Sequence, residues 1–218
     1  MCKLLDKVQP KNKEQLKQLI NYAFKHNIYD LNFIDTSKIT DMSGLFICIA
    51  HDFDVSSWDV SNAKNISYIF YKCKNFTGKG IENWDVSKVT DMSCMFTGCK
   101  IFDCDLSGWD VSNVTNMCYM FGNCLKFEGK GLKYWDVSNV IKTSNMFHGC
   151  EKLNCDLSTW DVSNIYNTSN MFKGCKNFKC KGLENWNLKL KNIKFYYHMF
   201  YDCDKNIIPN WYKKYNFK

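Results

Sequence analysis

The cysteines are the most reactive side chains in this sequence, which has 13 of them. Five recur every 25 or 26 residues: Cys73, Cys99, Cys124, Cys150 and Cys175. No Cys-x-x-Cys pair occurs, which argues against zinc. Neighbouring repeats would bring these thiols within about 5 Å of each other, so geometry alone does not exclude disulfide bonds between them. Because the count is odd and the N-terminus lacks the apolar core of a signal peptide, we expect a column of reduced, buried thiols.

Five aspartates share the same interval: Asp59, Asp85, Asp110, Asp136 and Asp161. A column of carboxylates is costly unless each one is satisfied locally. The Asp-x-Ser spacing favours an Asx turn, in which the carboxylate accepts backbone N–H groups. Calcium binding is the sharper alternative, but the dense Gly-Asp pattern of calcium-binding repeats is missing.

A lysine also recurs just after the cysteine position, at Lys74, Lys100, Lys126, Lys152 and Lys176. With a net charge of +7, these lysines could attract phosphates or an acidic partner. Every basic residue is lysine, however, and arginine is the side chain that binds phosphate and guanine in a bidentate way. We expect a solvated surface, with nucleic-acid binding as the less favoured alternative.

Catalysis finds little support in the sequence. The four histidines, at His26, His51, His148 and His198, occupy unrelated positions in the repeats. No Ser-His-Asp order, phosphate loop or paired-carboxylate motif is present. An active site needs a unique constellation, which repetition does not provide. We therefore expect a protein that is not an enzyme and has no cofactor and no resident metal.

The tryptophans define the repeat that must position all these side chains. They lie at intervals of 26, 25, 26, 25, 26 and 25 residues, at Trp58, Trp84, Trp109, Trp135, Trp160, Trp186 and Trp211. The alternation indicates a double unit of 51 residues. We expect the rings to form a column that seals the core, and an exposed ladder that binds sugars or bases is the alternative.

Periodicity within one repeat predicts two elements. Residues 102, 104 and 106 alternate as in a strand, and residues 117, 120, 121 and 124 mark one face of a short helix. Residues 11–27 carry a longer amphipathic helix. These patterns predict an α/β repeat fold, a leucine-rich-repeat-like solenoid of about seven coils with an N-terminal helical cap. The predicted boundaries are 1–31 for the cap region, 32–211 for the repeats and 212–218 for a basic tail.

The phrase Trp-Asp-Val-Ser-Asn-Val-Thr-Asn-Met-Cys-Tyr-Met-Phe at 109–121 resembles the repeat of the BspA-like leucine-rich-repeat surface proteins. It is most similar to the "WDVSNVTNM" branch, which occurs in mycoplasma surface proteins and in giant viruses. The resemblance covers roughly residues 32–211. It implies a leucine-rich-repeat-like solenoid, a role in adhesion or protein binding, and no catalysis.

We therefore expect a non-enzymatic scaffold for a protein partner. Positions that vary between repeats would select that partner, with Tyr68, Tyr119, Tyr166 and the five recurring lysines as candidate binding residues. A cell-surface or virion-surface adhesin is the first alternative function. No apolar run exceeds seven residues, so we expect no membrane span. The expected location is the cytoplasm, or the host cytoplasm if the protein is viral, with the virion or cell surface as alternative.

Overall fold

The computed structural model describes residues 7–186 and 195–216. Its helices are α1 (Lys13–Lys25), three single-turn 3-10 helices (Ile81–Asn83, Leu132–Tyr134 and Leu183–Asn185) and α2 (Asn210–Asn216). Extended pairing within the described residues is confined to eight isolated parallel bridges. Turns make up most of the repeats.

The prediction of an α/β leucine-rich-repeat-like solenoid with an N-terminal helical cap is wrong. The described residues contain no β-sheet, and their two α-helices lie near the two ends of the chain rather than within the repeats. Helix α1 does fall inside the segment 11–27 whose apolar spacing predicts a helix. Between α1 and α2 the described residues form stacked turns and the three single-turn 3-10 helices, rather than strands and α-helices.

The strand predicted over residues 102–106 and the helix predicted over 117–124 are both absent. Tyr119 and Asn123 have φ of 57° and 59°, in the left-handed region, and this interrupts any right-handed helix. The local bonds are short i to i−3 turns, such as that from the Met120 amide to the Met117 carbonyl at 3.2 Å. A run of tight turns places apolar side chains on one side just as a helix does, so the spacing misled the prediction.

Consecutive repeats are joined by backbone hydrogen bonds. In the turn segment that includes residues 117–123, every second amide donates to a carbonyl one repeat further on. Examples are the bonds from Tyr119 to Ser144 and from Phe121 to Met146, both at 2.9 Å. Parallel bridges mark the same register along one ladder: Asp41, Asn65, Asp91, Asn116, Lys142, Asn167 and Phe195. The alternate amides bond within their own repeat, so the turn backbone is satisfied from both sides.

Stacked phenylalanine rings form the centre of the core. One buried column places ring centroids 5.5–5.7 Å apart, at Phe46, Phe70, Phe96, Phe121, Phe147, Phe172 and Phe200. A second ring stacks on several of these at about 4.1 Å, as Phe127 does on Phe121. Offset aromatic pairs add about 0.5–1.5 kcal/mol each beyond their buried area. Each repeat therefore depends on its two neighbours for its core.

Helix α1 packs on the first described repeat. Asn12 caps the helix, because its Oδ1 accepts the Gln15 amide at 3.0 Å. Leu16, Ile20 and Ala23 are buried on its inner face. Outside this face, the Lys13 ammonium lies 3.0 Å from the Asp41 carboxylate of the first repeat.

Candidate functional site: the turn surface of the repeats

Two positions in each repeat, four residues apart, have a left-handed backbone. We call the first position of each pair the turn column, and it comprises Gly44, Tyr68, Cys94, Tyr119, Asn145, Asn170 and His198. Their φ values lie between 55° and 61°. Only the first is glycine, although this backbone conformation favours glycine. The turn column therefore keeps one backbone geometry while its side chain changes from repeat to repeat.

The structure brings two of the three predicted tyrosines into this column. Tyr68 is 43% exposed and Tyr119 is 40% exposed, with Cys94 of the intervening repeat between them. The Tyr68 hydroxyl donates a hydrogen bond to Cys94, which raises the pKa of Tyr68 to about 12. The Tyr71 ring lies 5.5 Å from the Tyr68 ring and extends the aromatic surface.

Tyr166 lies outside the turn column. It precedes the bridge residue Asn167, and its amide donates to the Ile141 carbonyl at 2.8 Å. Its ring is half-buried and meets Phe195 edge to face at 5.5 Å. The three tyrosines therefore do not form one cluster.

The five predicted lysines are all exposed. Lys176 pairs with Glu151 at 2.8 Å, and this ion pair raises the pKa of Lys176. Nearby lysines also face acids, with Lys130 2.7 Å from Asp103. Within ranges 7–186 and 195–216, no ion pair involves Lys74, Lys100, Lys126 or Lys152. The lysine row is thus interrupted by carboxylates at one end.

The tryptophans form a buried column and not an exposed ladder. The six rings from Trp58 to Trp186 are at most 5% exposed. Each indole N–H donates to a main-chain carbonyl one repeat earlier, as Trp135 does to Leu106 at 3.0 Å. Trp211 makes the same bond to Leu183 at 2.8 Å. The rings serve packing and repeat register and present no stacking surface to a ligand.

The recurring aspartates sit in Asx turns, the geometry that the Asp-x-Ser spacing predicts. Asp59, Asp85, Asp110, Asp136 and Asp161 each accept the amide of the serine two residues on, at 2.9–3.0 Å. The Ser87 and Ser138 hydrogen bonds lower the pKa of the Asp85 and Asp136 carboxyls, respectively. Each of these carboxylates is therefore already hydrogen-bonded within its own turn.

The sequence interpretation missed a second Asx column at the bridge ladder. There Asp41, Asn65, Asp91, Asn116 and Asn167 accept the amide two residues on at 2.8–3.2 Å. A further row was missed at the asparagine that follows Trp-Asp-Val-Ser. The Asn113 side-chain amide, for example, donates to the Ser87 carbonyl of the previous repeat at 2.8 Å. Its fixed place in the repeated phrase was the available signal.

The recurring cysteines are buried free thiols. All five, from Cys73 to Cys175, are fully buried, and each thiol donates to the carbonyl of a phenylalanine one repeat earlier. Burial raises the pKa of Cys73 to about 12. Cys48 is exposed. No group of three metal-ligating side chains occurs within the described residues.

These observations define a class of protein: a tandem-repeat protein whose stacked turns hold columns of side chains in register. Residues 14–131 and 105–211 match the family described as Mycoplasma protein of unknown function, DUF285. The chain belongs to this family, which is consistent with a BspA-like repeat protein. Comparison with curated proteins and with solved structures gives no significant match. Among the described residues, no helix is long and apolar enough to cross a bilayer.

Proposed function

We propose that this protein is a non-enzymatic scaffold for protein–protein interaction and belongs to the "WDVSNVTNM" branch of the BspA-like repeats. The turn column is the observation that carries this proposal. It fixes the main chain at φ of 55–58° from Tyr68 to Asn170, while the side chain is tyrosine, cysteine or asparagine. A constant frame with variable side chains is the arrangement by which repeat proteins select partners.

Backbone strain at the turn column supports the proposal. A non-glycine residue in the left-handed region costs about 1 kcal/mol or more relative to glycine. Tyr68 and Tyr119 have this strained backbone at half-exposed positions, where burial of the side chain offsets little of the strain. Tyrosine offers a large, rigid contact area with a polar end, which suits a protein interface.

Nucleic-acid binding is the weaker reading of the surface. The Lys176–Glu151, Lys130–Asp103 and Lys181–Asp156 pairs, at 2.7–3.1 Å, neutralise part of the basic charge. A binding mode based on lysine and phosphate would weaken steeply as salt rises. We propose the cytoplasm as the location, which the free state of the twelve described cysteines supports.

The first test is capture of partners from host-cell lysate by the full chain, with and without nuclease. The variant Tyr68→Gly/Tyr119→Gly removes both rings and places glycine where the backbone favours it, so folding should be preserved. Tyr134→Ala is the matched control, because Tyr134 is 73% exposed and lies outside the turn column.

We expect a nuclease-resistant, stoichiometric partner whose affinity falls at least tenfold in the double variant and stays unchanged in the control. Equal affinity in wild type and double variant would remove the turn column from the interface. Loss of the captured partner on nuclease treatment would instead indicate nucleic-acid binding through the lysines.

A further inference from the structure

The last described repeat ends in an edge of backbone donors. In the repeat before it, Asn170 donates to the Tyr197 carbonyl at 2.9 Å and Gly174 donates to the Tyr201 carbonyl at 2.8 Å. The corresponding donors one repeat later are the amides of Tyr196, His198, Phe200 and Asp202. We call this row the donor edge.

Helix α2 covers only part of the donor edge. The Tyr212 ring meets Phe200 edge to face at 4.9 Å, and its hydroxyl is hydrogen-bonded by the backbone of Met199 and Phe200. Within ranges 7–186 and 195–216, the amides of Tyr196, His198 and Asp202 have no acceptor. Unpaired backbone donors in a row form a template for another chain.

A cavity of about 540 Å³ adjoins the donor edge. Tyr197, Tyr201, Ile208 and Tyr212 contribute to its lining, and the first two are 60% and 58% exposed. An apolar or aromatic side chain would gain by leaving water here. Edge donors for the main chain and an adjacent cavity for a side chain are the two components of recognition by edge addition.

The chemistry of the donor edge restricts its occupant. The carbonyls of Tyr197, Met199 and Tyr201 already accept bonds from the preceding repeat, so the amides are the groups that the donor edge offers to a partner. Two donor edges cannot form backbone hydrogen bonds with each other, so backbone pairing cannot hold a symmetric dimer through this surface. The complementary edge, at the carbonyls of the first repeat, lies beside α1, whose Lys13 reaches Asp41 and Ser43.

We propose that the donor edge binds a segment of another protein. This segment offers carbonyls at every second residue and inserts an apolar side chain between Tyr197 and Tyr201. The donor edge shares the backbone of His198 with the turn column, but it does not involve Tyr68 or Tyr119.

The probe is a synthetic peptide with the sequence of residues 137–150 and Ser in place of Cys150. Within the chain, this stretch supplies the Lys142, Ser144, Met146 and His148 carbonyls to the preceding repeat. The measurement is amide hydrogen exchange of the full chain by NMR, with the peptide, with a scrambled peptide and without either. We expect saturating peptide to slow exchange at Tyr196, His198 and Asp202 at least tenfold, and the scrambled peptide to have no effect.

Tyr197→Ser/Tyr201→Ser should weaken peptide binding at least tenfold, whereas Tyr134→Ala and Tyr68→Gly/Tyr119→Gly should not. Unchanged exchange at the three amides under saturating peptide would overturn the proposal. The proposal would also be overturned if, without peptide, exchange at these amides became slower as the protein concentration rises. The occupant would then be a second copy of the chain. If the donor-edge proposal fails, the proposed role of the turn column is unaffected, because the test of that role uses the variant Tyr68→Gly/Tyr119→Gly and another ligand.

Discussion

Tryptophan and cysteine side chains join neighbouring repeats through polar contacts, and aspartate side chains close turns within a repeat. A tryptophan N–H and a cysteine thiol each bond a carbonyl one repeat earlier, and an aspartate closes its own turn. The aspartate contact spans two residues, so the Asp-x-Ser spacing was enough to predict it. The carbonyls that receive Trp135 and Cys150 depend on the register between repeats. Sequence spacing gave the period but not which backbone atoms meet.

Thiol reactivity should divide sharply between exposed and buried cysteines. Burial raises the pKa of Cys73 and Cys150 far above neutral pH, so little thiolate forms there. We expect iodoacetamide at pH 8 to modify Cys48 at least a hundredfold faster than either. Mass spectrometry of the time course measures this, and unfolding in urea should equalise the rates. Rapid native labelling of Cys150 would contradict the buried column.

The stability contributed by the Asp136 carboxylate should depend on pH. Hydrogen bonds from Ser138 hold its pKa below the ordinary 3.8 in the folded state. Its contribution is therefore present above that value and is lost as pH falls through the lowered folded pKa. Asp136→Asn keeps an oxygen acceptor, as Asn65 and Asn167 do in the second Asx column, but does not titrate.

We expect Asp136→Asn to lose about 0.2–1 kcal/mol at pH 7, because the carboxylate is exposed and screened. The difference from wild type should shrink below about pH 4. Urea unfolding at pH 7 and pH 3 measures it. A difference that is constant over this range would show that the Ser138 bonds do not distinguish charged from neutral oxygen.

At the scale of elements, the longer linker depends on a glycine. The chain there forms the 3-10 helix Leu132–Tyr134 directly after Gly131, whose φ is 87°. The apolar positions at 117, 120, 121 and 124 predicted a helix that does not form. Spacing alone cannot separate a helix from a run of turns whose amides bond the next repeat, because both place those side chains inward.

Gly131 should be irreplaceable, whereas Gly108 should accept alanine. A Cβ on Gly131 would lie 2.2 Å from the Ser107 nitrogen, and its φ of 87° disfavours any L side chain. A Cβ on Gly108 meets only the Glu82 carbonyl oxygen, at 3.4 Å. We expect Gly131→Ala to cost roughly 2–4 kcal/mol and Gly108→Ala less than about 1. Urea unfolding compares them, and equal costs would contradict the close approach of the two repeats.

At the scale of the whole molecule, stability passes from each repeat to its neighbours. Phe121 stacks on Phe96 and Phe147, so damage to one ring affects three repeats. The tryptophan spacing was sufficient to predict a buried, repetitive core. It could not predict that turns rather than strands and helices build it, because that choice depends on hydrogen bonds between repeats.

Removal of a central tryptophan should destabilise the whole stack. Trp135 is 2% exposed and its indole N–H satisfies the Leu106 carbonyl. We expect Trp135→Ala to cost about 3–5 kcal/mol, from lost burial and the cavity it leaves. Its sequence neighbour provides the control: Tyr134→Ala should change stability by less than about 0.5 kcal/mol. Circular dichroism during urea unfolding measures both, and a small effect of Trp135→Ala would refute the sealed column.

The register of the turns is the claim on which the turn column and the donor edge both depend. NMR can detect it directly as a coupling across a hydrogen bond in the isotope-labelled chain. The structure predicts coupling between the Phe121 amide nitrogen and the Met146 carbonyl carbon, whose nitrogen and oxygen lie 2.9 Å apart. Coupling from Phe121 to the Met117 carbonyl instead would reveal a helix and contradict the stacked turns.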